Sequence, residues 1–99
     1  MFHILVVEDD GIARKLMKAV LERAEYSVST AVNGEDALTL MDTHHIDLIV
    51  LDVMMPGMDG YTFTGELRAA GSTIPILMVT ARQLPADKKK GFSRVRTII

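Results

Sequence analysis

Acidic and hydroxyl side chains follow three separate apolar segments of this sequence, and their types and positions could support chemistry at a bound cation. In chain order they are Glu8, Asp9, Asp10, Asp52 and Thr80. Carboxylates brought close together repel one another at neutral pH, and a bound hard cation relieves that repulsion. Mg²⁺ prefers carboxylate, carbonyl and water oxygens. A carboxylate beside such a cation can also act as a nucleophile.

Each of these residues has an ordinary explanation when it is considered alone. An acid after a strand commonly caps the next helix, which would account for Asp9 and Asp10. Asp52 alone would be a loop acid, and Thr80 alone is uninformative. The combination is more specific, because three apolar segments each deliver an oxygen-bearing side chain at the same end.

The elements that must position these side chains alternate between strands and helices. Continuous apolar runs predict buried strands over 4–7, 46–52 and 74–79, and looser alternation predicts a half-exposed strand over 26–31. Helical spacing predicts helices over 12–24 with Asp10 as the cap, from Glu35 onward, over 61–70 with Gly71 at its end, and over 86–92. This order predicts a parallel sheet covered on both faces, with the ligand site at the carboxyl ends of the strands.

Composition predicts that the chain is a small, soluble, single domain. Its 99 residues fit one domain, the net charge is −2, and there is no cysteine. Mixed charges argue against a nucleic-acid or membrane surface, and apolar runs of about six residues are far below the roughly 20 that span a bilayer. We therefore expect a cytoplasmic domain with neither nucleic acid nor membrane as a direct partner.

Over residues 2–93 the chain resembles the receiver domain of two-component response regulators. The similarity is carried by Ile4–Asp10, by the highly specific run Asp52–Gly60, and by Val79-Thr80-Ala81. This resemblance implies a flavodoxin-like three-layer α/β sandwich with a parallel sheet in the strand order 2-1-3-4. It also implies a phosphoacceptor signalling domain, not a classical enzyme, whose partner is a sensor histidine kinase.

The resemblance assigns a metal site position by position. Asp9 matches a direct Mg²⁺ ligand, and Glu8 matches the acid that holds the ion through water. Asp52 shares the ion, and the backbone carbonyl of Met54 completes the metal shell.

The same resemblance assigns the phosphoryl site. Asp52 matches the aspartate that attacks a phosphohistidine of the kinase. Thr80 matches the hydroxyl that moves toward the phosphoryl group on activation, and Ala81 matches the small residue that leaves room for it.

The resemblance ends near the C-terminus of the sequence. The family pattern continues with a fifth strand that carries a lysine, and then a fifth helix, and by spacing that lysine would fall beyond Ile99. Lys88–Lys90 are no substitute, since they lie on the predicted fourth helix. We therefore divide the chain into an incomplete receiver domain over 1–93 and an aberrant tail over 94–99.

A frameshift is one origin for this tail, and an engineered truncation is the other. One set of codons that encodes residues 94–99 (CGG GTG CGG ACG ATT ATA) reads Gly-Ala-Asp-Asp-Tyr in another frame, and the family usually has a run like this before the lysine strand. The gene sequence tests this hypothesis, because the downstream bases should then encode a lysine-proline strand in that other frame.

Without its usual neighbour, strand 74–79 is expected to be an exposed edge, which favours a homodimer or a domain-swapped oligomer. The tail could instead replace the missing strand, either in its own molecule or in a partner.

Two other functions remain open. A receiver fold without the lysine could serve only as an interaction or self-associating module. The third possible function is that of a flavodoxin-like phosphatase with an aspartyl intermediate, but no acid stands two residues after Asp52 and there is no glycine-rich nucleotide loop.

The adjacent His44 and His45 are expected to be solvent-exposed loop residues, not a metal or phosphorelay site.

Overall fold

The computed structural model describes residues 1–52, 60–79 and 95–98, the last segment by its backbone alone. Its elements are β1 (His3–Val7), α1 (Gly11–Arg23), β2 (Ser27–Ala31), α2 (Gly34–Thr43), β3 (Leu48–Asp52), α3 (Gly60–Ala69), β4 (Ile76–Val79) and β5 (Val95–Ile98). The helix predicted over 86–92 lies outside the described residues.

A single five-stranded sheet organises the molecule, with its strands in the order β2-β1-β3-β4-β5. β1 pairs in parallel with β2 and with β3, and β3 pairs in parallel with β4. This arrangement confirms the predicted flavodoxin-like fold and the predicted strand order 2-1-3-4. Each connection among these four strands contains one helix, as parallel pairing requires.

Both faces of the sheet are buried, and β1 contributes to each. Leu5 and Val7 pack in one core cluster, and Ile4 and Val6 pack in another on the opposite face. Successive residues of a strand point to opposite faces, so a continuous apolar run is what two covered faces require. The first cluster also contains Phe63 of α3, which is fully buried.

Helix α1 is capped at its start by a side chain and is buried on one side only. The side chain of Asp10 accepts a hydrogen bond from the amide of Ala13 at 2.8 Å, which confirms the predicted cap. Met17 is buried on the side that packs against β1 and β2. Leu16 and Val20 belong to the same apolar pattern but are 53% and 52% exposed, so the pattern alone overestimates the buried face.

The prediction that strand 74–79 is an exposed edge is wrong. β5 pairs with β4 along its length in the antiparallel sense, from Ile76 opposite Ile98 to Val79 opposite Val95. The tail thus takes the edge position in its own molecule, which is one of the two outcomes that we considered for it. The sheet is therefore mixed, with four parallel strands and one antiparallel edge strand.

A residue in the left-handed conformation follows both α1 and α3, and after α1 it is Glu25, at a φ of 71°. α3 is followed by Gly71 at a φ of 89°, a left-handed conformation that favours glycine after a helix.

Across residues 1–52 and 60–79, no helix has both the length and the apolar character needed to cross a membrane.

Candidate functional site

The register between β1 and β3 brings two acids to the same level of the sheet. Val7 lies opposite Leu51 in the parallel ladder. The residues that follow them in the chain, Glu8 and Asp52, therefore stand side by side at the carboxyl edge of the sheet. β1 is an interior strand of the sheet, with β2 on its other side. The edge where these strands end is the place at which open α/β sheets bind their ligands.

Three carboxylates meet there, and we call Glu8, Asp9 and Asp52 the acidic cluster. One carboxylate oxygen from each lies within 4.8 Å of the others. Glu8 and Asp52 are each only 1% exposed, whereas Asp9 is half-buried. Solvent therefore reaches the cluster from the side of Asp9.

The donor set fits a hard divalent cation. Three carboxylate oxygens in a space of this size provide the negative charge and the oxygen ligands that Mg²⁺ favours, and they leave other positions for water. The same three carboxylates held together without a cation would repel one another strongly, since two of them are almost completely removed from solvent. Within the part of the chain that the structure describes, no other group of three or more acids or histidines is arranged to hold a metal ion.

The loop between β1 and α1 is fixed by its own hydrogen bonds. The amide of Glu8 donates to the carbonyl of Ala31 at 3.0 Å, and the amide of Asp10 donates to Oε2 of Glu8 at 3.0 Å. Asp10 itself is exposed, and its carboxylate caps α1. The helix-cap explanation therefore applies to Asp10, whereas Glu8 and Asp9 belong to the acidic cluster.

Sequence reasoning missed Arg14. Its Nη1 donates to the carbonyl oxygens of Glu8 at 2.9 Å and of Asp9 at 3.3 Å, so it contacts the backbone of both acids. One signal was available in the sequence. A basic residue in the first turn of a helix opposes the positive end of the helix dipole, and such a local conflict often marks a functional position.

Three of the predicted site residues lie outside the described residues: Met54, Thr80 and Ala81. Their assignments stay predictions. The strand that leads to Thr80 is nevertheless in register with the cluster, because Val79 of β4 lies opposite Asp52 of β3.

The histidine pair lies away from this edge. His44 and His45 are exposed, as predicted, and follow the end of α2 before β3 begins. Nε2 of His45 and Oδ1 of Asp47 are 2.9 Å apart. Neither histidine belongs to the acidic cluster.

Comparison with known proteins identifies the family that shares these features. A family model described as the response regulator receiver domain matches residues 4–94. The chain is 51% identical over 90 residues to the probable transcriptional regulator ycf27 of Cyanidium caldarium, covering 91% of this chain and 36% of that protein. It is 42% identical over 87 residues to the sensor histidine kinase RcsC of Escherichia coli K12, covering 88% of this chain and 9% of that protein.

Solved structures agree with the sequence similarity. The response regulator TrrA of Thermotoga maritima, in complex with Mg²⁺ and BeF, has a TM-score of 0.76 and 38% identity, over 88% of this chain and 76% of that one. The chemotaxis protein CheY4 of Vibrio cholerae has a TM-score of 0.77 and 34% identity, over 92% of this chain and 78% of that one. The chain thus spans most of a receiver structure but only a minor part of the two longer relatives.

Proposed function

Because this chain belongs to the receiver-domain family of response regulators, we propose that Asp52 accepts a phosphoryl group from a histidine of a sensor kinase. The observation that carries the proposal is the convergence of three carboxylates within 4.8 Å at the carboxyl edge of the sheet. Similarity to segments of a transcriptional regulator and of a sensor histidine kinase supports a signalling role in which the domain receives phosphate.

Asp52 is the nucleophile in this proposal. An oxygen of its carboxylate attacks phosphorus, the P–N bond to the donor histidine breaks, and the electron pair of that bond remains on the histidine nitrogen. Asp52 ends β3, where the ladder with β4 pairs it with Val79 and the ladder with β1 pairs the residue before it with Val7. Phosphoryl transfer depends mainly on positioning and on charge neutralisation, so a fixed carboxylate beside a cation site needs little additional machinery.

Glu8, Asp9 and Asp52 would hold Mg²⁺, together with the backbone carbonyl of Met54. When bound, the ion would neutralise charge on the transferring group. Asp9, the more exposed acid, is suited to direct ligation, and the buried Glu8 is suited to holding a coordinated water. Thr80 would hydrogen-bond the phosphoryl group, and Ala81 would leave space for it.

The alternative is a receiver fold that binds partners but does not switch. One observation favours it: the strand beside β4 is Val95–Ile98, which runs antiparallel and contains no lysine. β5 would then not supply the ammonium group that the family places near the phosphate on Asp52. The two functions differ in whether the chain changes conformation after phosphorylation.

The test is to incubate the chain with acetyl phosphate and Mg²⁺ and to measure its intact mass. We expect the added mass of one phosphoryl group, which should not form when excess EDTA is present from the start and should be absent in Asp52→Asn. Asp9→Asn should reduce the yield, and the cap variant Asp10→Asn should not. An unmodified wild-type chain, or an adduct that survives Asp52→Asn, would contradict the proposal.

Beryllofluoride separates the two functions once an adduct is found. Amide NMR shifts that spread beyond the acidic cluster into β4 and β5 would indicate a switching receiver. Shifts confined to the cluster would favour the interaction module.

A further inference from the structure

Arg14 connects α1 to the backbone that carries two members of the acidic cluster. It is half-buried, and Nη1 lies 2.9 Å from the carbonyl oxygen of Glu8 and 3.3 Å from that of Asp9. Both bonds therefore come from one guanidinium nitrogen and end on consecutive peptide units. The planar guanidinium is a rigid donor that a lysine ammonium does not reproduce.

The conformation of these two residues is unusual for the end of a strand. Side chains of successive strand residues point to opposite faces. Glu8 and Asp9 nevertheless both direct a carboxylate oxygen to the same place beside Asp52. The peptide between them must leave strand geometry for this to happen, and the chain does bend at Asp9.

We infer that Arg14 is a positioning residue for the acidic cluster, because its guanidinium holds the peptide of Glu8 and Asp9 in the bent conformation that points both carboxylates at Asp52. Two further hydrogen bonds of this loop end elsewhere: the Glu8 amide donates to the carbonyl of Ala31, and the Asp10 amide donates to the carboxylate of Glu8. The inference rests on the proposed Mg²⁺ site and assigns a specific part of it to a residue on α1.

A positioning role and a purely electrostatic role for Arg14 predict opposite effects of its removal on Mg²⁺ affinity. A positive charge near a cation site weakens cation binding, so its removal should strengthen Mg²⁺ affinity if charge alone matters. If Arg14 orients the acids, its removal should weaken Mg²⁺ affinity instead. Loss of an outer partner of a metal ligand typically weakens metal affinity by about 10-fold or more.

The experiment measures Mg²⁺ affinity by amide NMR titration of the full chain. Arg14→Met, which removes charge and donors, should bind Mg²⁺ about 10-fold more weakly than wild type. Arg14→Lys keeps the charge but not the planar fork, and should be intermediate. Lys15→Met is the matched control, because it removes the same charge from an exposed neighbour, and its affinity should equal that of wild type or exceed it slightly.

A measurement without metal separates positioning from unfolding. Arg14→Met should shift the Glu8 and Asp9 amides and accelerate hydrogen exchange at the Asp10 amide, while the amides of β2 and β3 keep their shifts. Equal or tighter Mg²⁺ binding by a folded Arg14→Met would overturn the inference and leave the proposed function intact. A wild-type chain that binds no Mg²⁺ would overturn the metal site, and the inference with it.

Discussion

Asp10 accepts a 2.8 Å hydrogen bond from the Ala13 amide, while the two acids before it turn toward Asp52. Three consecutive carboxylates thus serve two different purposes at one strand end. The division follows from geometry. The cap must lie just before the helix, and the cluster must lie just after the strand, so the three residues between β1 and α1 contain both.

Substitutions at Asp10 should separate these purposes. Asp10→Ala removes the cap and should lower the free energy of unfolding by about 1 kcal/mol, whereas Asp10→Asn keeps an acceptor and should leave it almost unchanged. Urea unfolding followed by circular dichroism measures both. Neither variant should lose Mg²⁺ affinity. If Asp10→Asn binds Mg²⁺ as weakly as Asp9→Asn does, then Asp10 belongs to the metal site and this division is incorrect.

At the scale of the element, β1 was the most predictable part of the chain. Four consecutive apolar residues predicted burial on both faces, and Ile4, Leu5, Val6 and Val7 are all at most 2% exposed. The direction of β5 could not be predicted, because the apolar character of a strand is independent of the direction in which it pairs. Arg14 was missed for a related reason, since its bonds go to backbone atoms that the side-chain pattern does not reveal.

The amino ends of β1 and β3 are joined through Asp47. Its Oδ2 accepts from the amide of His3 at 2.8 Å, and its own amide donates to the His3 carbonyl at 2.8 Å. The hydrogen bond from the His3 backbone lowers the pKa of Asp47 below its ordinary value of 3.8, with smaller contributions from His45. The lower pKa means that the folded chain binds the carboxylate proton less readily than the unfolded chain does.

This lowered pKa predicts how stability depends on pH. The contribution of Asp47 should be fully present above the pKa that it has in the unfolded chain, and it should be lost as pH falls through the lower pKa of the folded chain. Asp47→Asn should therefore reduce the urea midpoint at pH 7 and have a smaller effect near pH 3. Asp42→Asn, which removes an exposed carboxylate from α2, is the control. A difference between wild type and Asp47→Asn that grows toward acid pH would contradict the assignment.

At the scale of the whole molecule, one edge of the sheet is formed by β5, which runs antiparallel to its neighbour β4. Parallel neighbours need a crossover connection, usually a helix, whereas an antiparallel strand can join without one. β5 therefore gives β4 a second hydrogen-bonded neighbour, and the outer edge of the sheet moves from β4 to β5. Association through this edge of the sheet would consequently involve β5 and not β4.

Removal of residues 94–99 should uncover β4. The deleted ladder contains four residue pairs, and at about 1 kcal/mol net per backbone hydrogen bond its loss should reduce stability by a few kcal/mol. The uncovered strand should also favour association, because an unpaired apolar edge can pair with another chain. Sedimentation velocity at equal concentrations should then give a larger weight-average mass for the deletion variant than for the full chain.

A proline variant of full length provides the matched comparison for the deletion. Arg96→Pro combined with Thr97→Pro removes two adjacent backbone donors, and alternation along a strand requires one of any two adjacent amides to face the neighbouring strand. This variant should resemble the deletion in both its urea midpoint and its association. Identical unfolding and sedimentation for the wild type, the deletion and the proline variant would mean that β5 contributes nothing to the sheet in solution, and β4 would then be its edge.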